Sequence, residues 1–271
     1  MKCDLCPRKC LVDRKKGEKG ICGQTENLKV ARAALHFWEE PCISGDAGSG
    51  AVFFSGCPLH CVFCQNENIA NGTVGKEISL ERLVDIFLEL QEKRANNINL
   101  VTPGHFVPQI VKALDQARKE GLTLPVVYNT SSYETVDTIK MLEGYVDIYL
   151  PDFKYMSPVL SKKYSHAPDY AEVAKAAIAE MVRQTGKAVF VNGDEDNLIL
   201  SGTIVRHLTL PGCMADSMQI LKYLHDTYGD MIYISIMNQF TPLSNLEKYP
   251  ELNRRITDEE YETPVSYTHL T

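Results

Sequence analysis

Eight of the chain's nine cysteines fall within its first 64 residues, and this clustering constrains the fold more than any other feature. Cys57, Cys61 and Cys64 form "CPLHCVFC" directly behind the apolar run "AVFFSG" (51–56). Cys3, Cys6, Cys10 and Cys22 lie in "CDLCPRKCLVDRKKGEKGICG". A secreted domain uses such cysteines as staples, but it is usually short and carries an apolar leader. The N-terminus here, "MKCDLCPRKC", has no apolar leader core. The expectation is a cytoplasmic protein whose thiols bind metal rather than each other.

The remaining composition excludes several classes. With 271 residues, 44% of them hydrophobic and 23% charged, the chain can bury one large core or two small ones. The net charge is −7, and no basic stripe marks a nucleic-acid partner. The longest apolar runs, such as "IYISIM", are far too short to span a bilayer, so no membrane role is expected.

Three zones follow: a Cys-rich extension over 1–48, a body over 49–240 and a polar tail over 241–271. The body alternates two periods. "AVFFSG" (51–56), "INLVT" (98–102), "LPVVYN" (124–129), "VDIYLPDFK" (146–154), "IVRHLTLPG" (204–212) and "MIYISIMNQ" (231–239) read as strands. "AVFVNGDEDNLILSG" (188–202) reads as a hairpin insertion. Between them, Leu80, Leu83, Val84, Phe87 and Leu88 make one helical stripe behind an N-cap at Ser79. Val107, Ile110, Val111 and Leu114 make another, closed by Gly121. Further helices are expected over about 133–143, over 169–186 with Asp169 and Glu172 as a capping box, and over about 214–228. Six strands, most followed by a helix, predict an α/β fold: parallel strands wound one way into a barrel or an open sheet. Ligands then collect at the carboxyl ends of the strands, where the first loop carries Cys57, Cys61 and Cys64.

The spacing of that triplet is C-x3-C-x2-C. A zinc site of this kind would call for a second pair nearby, and the next cysteine is Cys213. Three thiolates can hold three irons of a cubane cluster and leave the fourth open to a ligand that is not protein. The competing reading is three buried or zinc-binding cysteines on a loop.

"CPLHCVFC" resembles the CxxxCxxC signature of the radical S-adenosylmethionine (radical SAM) enzymes. The resemblance continues through "EPCISG", "GSGAVFFSGC", "CQN", "NINLVTPGHF", "LPVVYNTSSYE", "YVDIYLPDFKY" and "VRHLTLPG", over roughly residues 1 to 255. These look like the radical proteins similar to pyruvate formate-lyase activating enzyme. The resemblance implies a partial (β/α)6 barrel, a [4Fe-4S] cluster and S-adenosyl-L-methionine. It implies reductive cleavage of that cofactor to a 5′-deoxyadenosyl radical, which abstracts hydrogen from a substrate. A glycyl radical enzyme as partner, and flavodoxin or ferredoxin as reductant, are implied in the same way.

Residue by residue, the resemblance puts Phe63 against the cofactor's adenine; the plainer reading is a core aromatic. Many members end strand two in Gly-Gly-Glu, whereas this chain has Thr102, Pro103, Gly104 and His105. Thr102 and nearby carbonyls are then the acceptors for the cofactor's ammonium, and His105 either joins them or simply caps the next helix. Asn129, Thr130 and Ser131 stand where activating enzymes carry Asp-Thr-Asn, or else form a polar turn. Asp152 and Lys154 match an Asp-x-Lys near the cofactor's carboxylate and ribose, and alternation along a strand end points both to one face. Arg206 is a further candidate for the carboxylate, because its guanidinium is a fork of donors. His207, facing the other way, reads as structural.

Cys3, Cys6, Cys10 and Cys22 fit a closed four-thiol site, with zinc and a second iron–sulfur cluster both open. Metal would then supply folding energy to a segment with little core of its own. Cys42 is a spare thiol, able to replace one of the four. In the tail, "TDEE" reads as a helix start that Pro264 stops at once. The closing "VSYTHLT" looks foreign, so the natural C-terminus is expected to be missing. Two other function classes compete with the radical enzyme: an electron-carrying iron–sulfur module and a zinc-stabilised scaffold, neither of which needs a barrel.

Overall fold

The computed structural model describes residues 2–194, 197–244 and 246–268. Among these, nine strands form one sheet: β1 (Lys29–His36), β2 (Ser49–Phe54), β3 (Lys76–Glu77), β4 (Ile98–Val101), β5 (Val126–Thr130), β6 (Ile148–Pro151), β7 (Val189–Phe190), β8 (Ile199–Leu208) and β9 (Tyr233–Met237). The order is β3-β1-β2-β4-β5-β6-β8, and β8 pairs β7 along its first half and β9 along its second. Strands β2, β4, β5, β6, β8 and β9 run parallel, which is the expected α/β partial barrel. The two-strand flap of β1 and β3 is antiparallel and was not expected. Its sequence hides it: β1 is rich in alanine, and an irregular register between Val30 and Arg32 spoils the alternation.

The helices are α1 (Pro41–Ser44), α2 (Glu67–Ala70), α3 (Leu80–Glu92), α4 (Val107–Lys119), α5 (Val136–Lys140), α6 (Pro158–Ser165), α7 (Tyr170–Thr185), α8 (Met214–Tyr228) and α9 (Asp258–Thr268). Ser79 caps α3 as expected, accepting from the Arg82 amide at 3.2 Å. The helix expected over about 133–143 shrinks to α5, because Thr135 caps it late, accepting from the Thr138 amide. Asp169 does not close a capping box on α7; its carboxylate accepts instead from the Tyr133 hydroxyl at 2.8 Å. A phenol buried at 2% exposure needs an acceptor, and that need outranks the cap. Pro264 does not stop α9. Thr257 and Glu260 bond each other's amides in a capping box, α9 packs on α8, and Pro264 is buried. That packing offsets the roughly 3 kcal/mol a helix-interior proline costs. Residues 269–271 of the foreign-looking tail lie outside the described residues.

Successive residues of β5 point to opposite sides. Val126 and Tyr128 join Val52, Leu100 and Tyr149 under Phe87 of α3 and Ile110 and Leu114 of α4. Val127 joins Ile148, Leu150 and Ile204 on the other face, where Ile43 of α1 is fully buried. The segment between β1 and β2 therefore plugs the concave face of the sheet. Truncating Ile43 to alanine would cost on the order of 2–5 kcal/mol. This plug also brings two carboxylates to the site.

Candidate radical SAM site

The triplet loop leaves β2 through Gly56. A β-carbon there would lie 2.4 Å from the Cys22 carbonyl oxygen, and φ is +93°, so only glycine fits. The three thiols are free and half-buried. The Cys61 sulfur accepts from the Ser165 hydroxyl at 2.9 Å, at the end of α6. The Cys64 amide donates to the Cys61 carbonyl at 3.0 Å, and the Val62 amide to the Tyr164 carbonyl at 2.9 Å. Burial pushes the Cys57 thiol up to about 12, and the neighbouring Cys61 and Cys64 add to it. Burial and Cys61 likewise push Cys64 up, while Lys154 works the other way. Cys57 and Cys64 are thus desolvated beside Cys61, and thiolates there become favourable when cationic metal joins them.

Room exists beside them. Cys61, Cys64, His60 and Glu67 line a cavity of about 220 Å³, and Cys64, Gln65, Ile69 and Leu243 line a larger one of about 610 Å³. No three His, Cys, Asp or Glu side chains among the described residues are placed to hold a single metal ion. A cubane asks for something different, since each thiolate takes its own iron at a separate corner. The donor chemistry, the mutual field and the adjoining cavities fit such a cluster.

Four of the expected cofactor residues are brought together in a bonded chain. Lys154 Nζ donates to Asp152 Oδ2 at 2.6 Å, and Arg206 Nε donates to Asp152 Oδ1 at 2.9 Å. Arg206 Nη2 donates to Asn129 Oδ1 at 2.8 Å. Burial would raise the Asp152 carboxyl, but Arg206 and Lys154 outweigh it and hold it below the usual carboxylate range. Burial opposes charge on Lys154, yet Asp152 and Cys61 keep its ammonium favoured. The chain of charges therefore reaches the thiols.

Its centre is a residue that sequence reasoning missed. Glu39, from the plug, accepts Arg206 Nη1 on Oε1 at 2.8 Å, and Asn129 and Asn99 on Oε2 at 2.8 and 2.9 Å. Its neighbour Glu40 accepts from Ser235 of β9 at 2.9 Å. The only signal was "WEEP", two carboxylates before a helix-starting proline in the zone assigned to the extension.

Other expected residues are placed elsewhere. Thr130 turns away from the chain of charges, donating to buried Glu134 at 2.8 Å and accepting from the Ser132 amide, which is the polar-turn role. Ser131 offers its carbonyl to the Tyr170 hydroxyl at 2.8 Å. Thr102 is half-buried at φ +54°, its amide donating to the Asn129 carbonyl. Phe63 is buried edge-on to Tyr164 and Phe240, as a core aromatic would be. His105 caps nothing; its Nε2 is 2.7 Å from the Ser55 carbonyl and its Nδ1 is buried without a partner. His207 is structural as expected, bridging the Phe153 carbonyl and the Ser217 hydroxyl.

The four N-terminal cysteines fold into a small unit. The Cys3 amide donates to the Val12 carbonyl and the Leu11 amide to the Cys3 carbonyl, at 2.9 and 3.0 Å. A β-carbon on Gly20 would lie 2.9 Å from the Cys10 sulfur and 3.7 Å from the Cys22 sulfur, so the glycine lets those two approach. Burial pushes Cys6 up to about 12, with Cys22 and Cys3 contributing. Cys42 stands apart, packed against the concave-face cluster in α1, so it is not a substitute ligand.

This unit is bonded to the triplet loop. Arg8 donates to the carbonyls of Pro58, Ser165 and His166 at 2.9, 3.0 and 2.5 Å, and its guanidinium lies 5.1 Å from the Tyr133 ring centre. His60, inside the triplet, places Nε2 2.8 Å from the Ile21 carbonyl, next to Cys22.

The family model described as the radical SAM superfamily matches residues 51–197. The chain belongs to the radical SAM superfamily. Membership implies a [4Fe-4S] cluster and S-adenosylmethionine. The chain is similar to the uncharacterized protein MJ0674 of Methanocaldococcus jannaschii, 28% identical over 269 residues, which cover 96% of this chain and 72% of that one. In fold this radical SAM protein is similar to HydG, described as a maturase of the [FeFe]-hydrogenase, and to methylornithine synthase (PylB). The TM-scores are 0.51 and 0.53 at 13% and 14% identity, each over 79% of this chain. It spans 47% and 59% of those two chains. No helix among the described residues is long and apolar enough to cross a membrane.

Proposed function

We propose that the protein cleaves S-adenosylmethionine reductively and uses the resulting radical on a protein or small-molecule substrate. One observation carries this reading: three free, half-buried thiols on the loop at the end of β2, next to a Lys154–Asp152–Arg206 chain at the ends of β6 and β8. Cys57, Cys61 and Cys64 would hold the cluster. When bound, cluster and cofactor supply an electron to the sulfonium and a hydrogen-abstracting carbon radical.

The chain's own residues then orient and shield. Lys154 is the cation whose charge the thiols feel, so it is assigned to the cofactor's carboxylate, with Asp152 fixing its position. Arg206 is spent on Asp152, Asn129 and Glu39, so it acts as the brace of the site. Burial of the wall behind the loop, through Phe63, Tyr164 and Phe240, keeps water from that side. The hydrogen donor is proposed to be a glycyl radical enzyme and the reductant a flavodoxin or ferredoxin; the motifs shared with activating enzymes support both. Cys3, Cys6, Cys10 and Cys22 are assigned a second metal on the strength of four free thiols folded into one short unit; as no three of them are placed around a single ion, an iron–sulfur cluster, with one thiolate per iron, is favoured over zinc.

The test is anaerobic reconstitution with iron and sulfide, then dithionite and S-adenosylmethionine. The expected product is 5′-deoxyadenosine, formed by the wild type and by Cys6→Ala in part. A fully loaded protein that yields none would remove the reading.

A further inference from the structure

Beside the charged chain, the concave face holds a cavity of about 230 Å³ that the proposed cofactor contacts leave unused. Trp38, Glu40, Arg206, Ser235, Met237 and Gln239 are among its walls. Two features of these walls point to a ligand. Trp38, the chain's only tryptophan, is 89% exposed at the rim. An indole set in open solvent beside a cavity is an unusual use of the largest apolar side chain. Glu40 is the second. One of its oxygens accepts from Ser235, and the other has no partner among the described residues.

The charges on the walls leave one carboxylate without its own cation. Glu39 also lines the cavity, but Arg206, Asn99 and Asn129 satisfy both its oxygens. Arg206 in turn is held by Glu39, Asp152 and Asn129. Glu40 is therefore a partly desolvated carboxylate with no cation of its own. Burial pushes its carboxyl up, and Glu39 and Asp152 push the same way, against Ser235 and Arg206. A cation would relieve that cost, and the face of Trp38 would attract the same cation through its ring quadrupole.

The cavity also lies within reach of the cluster loop. Gln65, next to Cys64, donates to the carbonyl of Gln239 in the cavity wall at 3.4 Å. We propose that this cavity is the substrate subsite, and that it takes a ligand bearing a primary ammonium group, bound between Trp38 and Glu40. Calling the ligand a substrate rests on the proposed radical chemistry; its binding does not.

The solitary tryptophan provides the readout. Reconstituted protein is titrated anaerobically with L-lysinamide while Trp38 emission is followed, with and without S-adenosylmethionine. The Nα,Nε-diacetyl derivative, which carries no ammonium, is the control, at matched ionic strength. A saturable change with lysinamide, at least about ten-fold weaker with the acetylated control and with Glu40→Gln, is the expected result, ten-fold being one decade in Kd. Equal responses to both probes, no response up to about 10 mM (ten times a weak millimolar Kd), or an unaltered E40Q response would each overturn the proposal. So would competition by S-adenosylmethionine, which would give the cavity to the cofactor. Because emission needs no turnover, lysinamide binding without 5′-deoxyadenosine formation would sink the radical reading and leave the subsite standing.

Discussion

The two groups of cysteines are built in opposite ways. Cys57, Cys61 and Cys64 are placed by the sheet: β2 pairs on both sides, and the loop leaves its end with Gly56 fixed by close contact. Cys3, Cys6, Cys10 and Cys22 have no strand beneath them, and their only regular element is a three-residue 3-10 turn over Arg14–Lys16. Side chains dock them instead. Arg8 grips the triplet loop, Arg14 bonds the Thr25 and His105 carbonyls, and the Leu5 carbonyl accepts from Thr138 at 2.6 Å. The first group stands on a strand paired on both sides. The second has arginines and whatever its thiols bind. A site held by the sheet should lose function when a ligand is removed yet keep its fold, whereas a docked unit should respond in local stability first.

The sharpest break of that contrast is Cys61→Ala. It should remove 5′-deoxyadenosine formation by at least about 100-fold, beyond the roughly 10–100-fold that outer partners of a metal site command. Its circular dichroism melt should stay close to wild type. Cys6→Ala should show the reverse, with part of the cleavage kept and earlier proteolysis of the first 25 or so residues. Iron and product assays beside a melt and limited proteolysis separate the two, and equal losses from both variants would erase the distinction.

The next effect is on stability in acid. His105 lies against the docked unit and His207 against the barrel wall. Burial lowers each to about 4. A histidine whose folded pKa is depressed binds its proton later than in the unfolded chain. Stability is therefore complete above about 6.5 and is lost as pH falls toward 4, by about 3 kcal/mol for each. Glu134 works against them. Burial raises it to about 7, so the folded state keeps its proton longer, and stability is gained as pH falls from about 7 to 4.5. That gain is also about 3 kcal/mol, so one histidine's worth should remain as net loss between pH 7 and 4. Urea titrations across that range should find it. His207→Gln should flatten the profile, and so should His105→Gln if the docked unit unfolds with the barrel.

How much of this was legible depended on whether a signal was local. The six parallel strands were readable because each is an apolar run followed by a helical stripe, as with 98–102 and then Val107, Ile110 and Leu114. The triplet was readable because its ligands are seven residues apart at most. Asp152, Lys154, Arg206 and Asn129 could be named as candidates from strand ends, and they do converge. What could not be read is what they converge on. Glu39 bonds residues 60, 90 and 167 positions away, and nothing local distinguishes it from Glu40. Strand β1 was lost because small residues and a register slip erase the two-residue period. Thr130 and Asn129 are neighbours on one strand, and alternation alone sends one to the charged chain and the other to Glu134.

The smallest predicted effect tests whether the two cysteine groups communicate. Arg8 lies between Cys6 and Cys10, and its three backbone bonds end on Pro58, beside Cys57, and on Ser165 and His166. Ser165 in turn donates to the Cys61 sulfur. Arg8→Met keeps most of the side chain's length and its packing on Tyr133, and removes only the donors. The loop should then hold its cluster less firmly. Iron should leave about ten times faster under chelator, a change of about 1.4 kcal/mol, at the low end for an outer partner of a metal site. Arg8→Lys should recover only part, because one ammonium cannot reach three carbonyls as a fork does. The melting temperature would move little for either variant, since loop and unit are both at the surface of the barrel mouth. If R8M releases iron at the wild-type rate while C61A binds none, the docked unit is a passenger beside the cluster loop. If R8M and R8K order as stated, the N-terminal unit is coupled through Arg8 and Ser165 to the loop that carries Cys61, and its docking sets how tightly that loop is held.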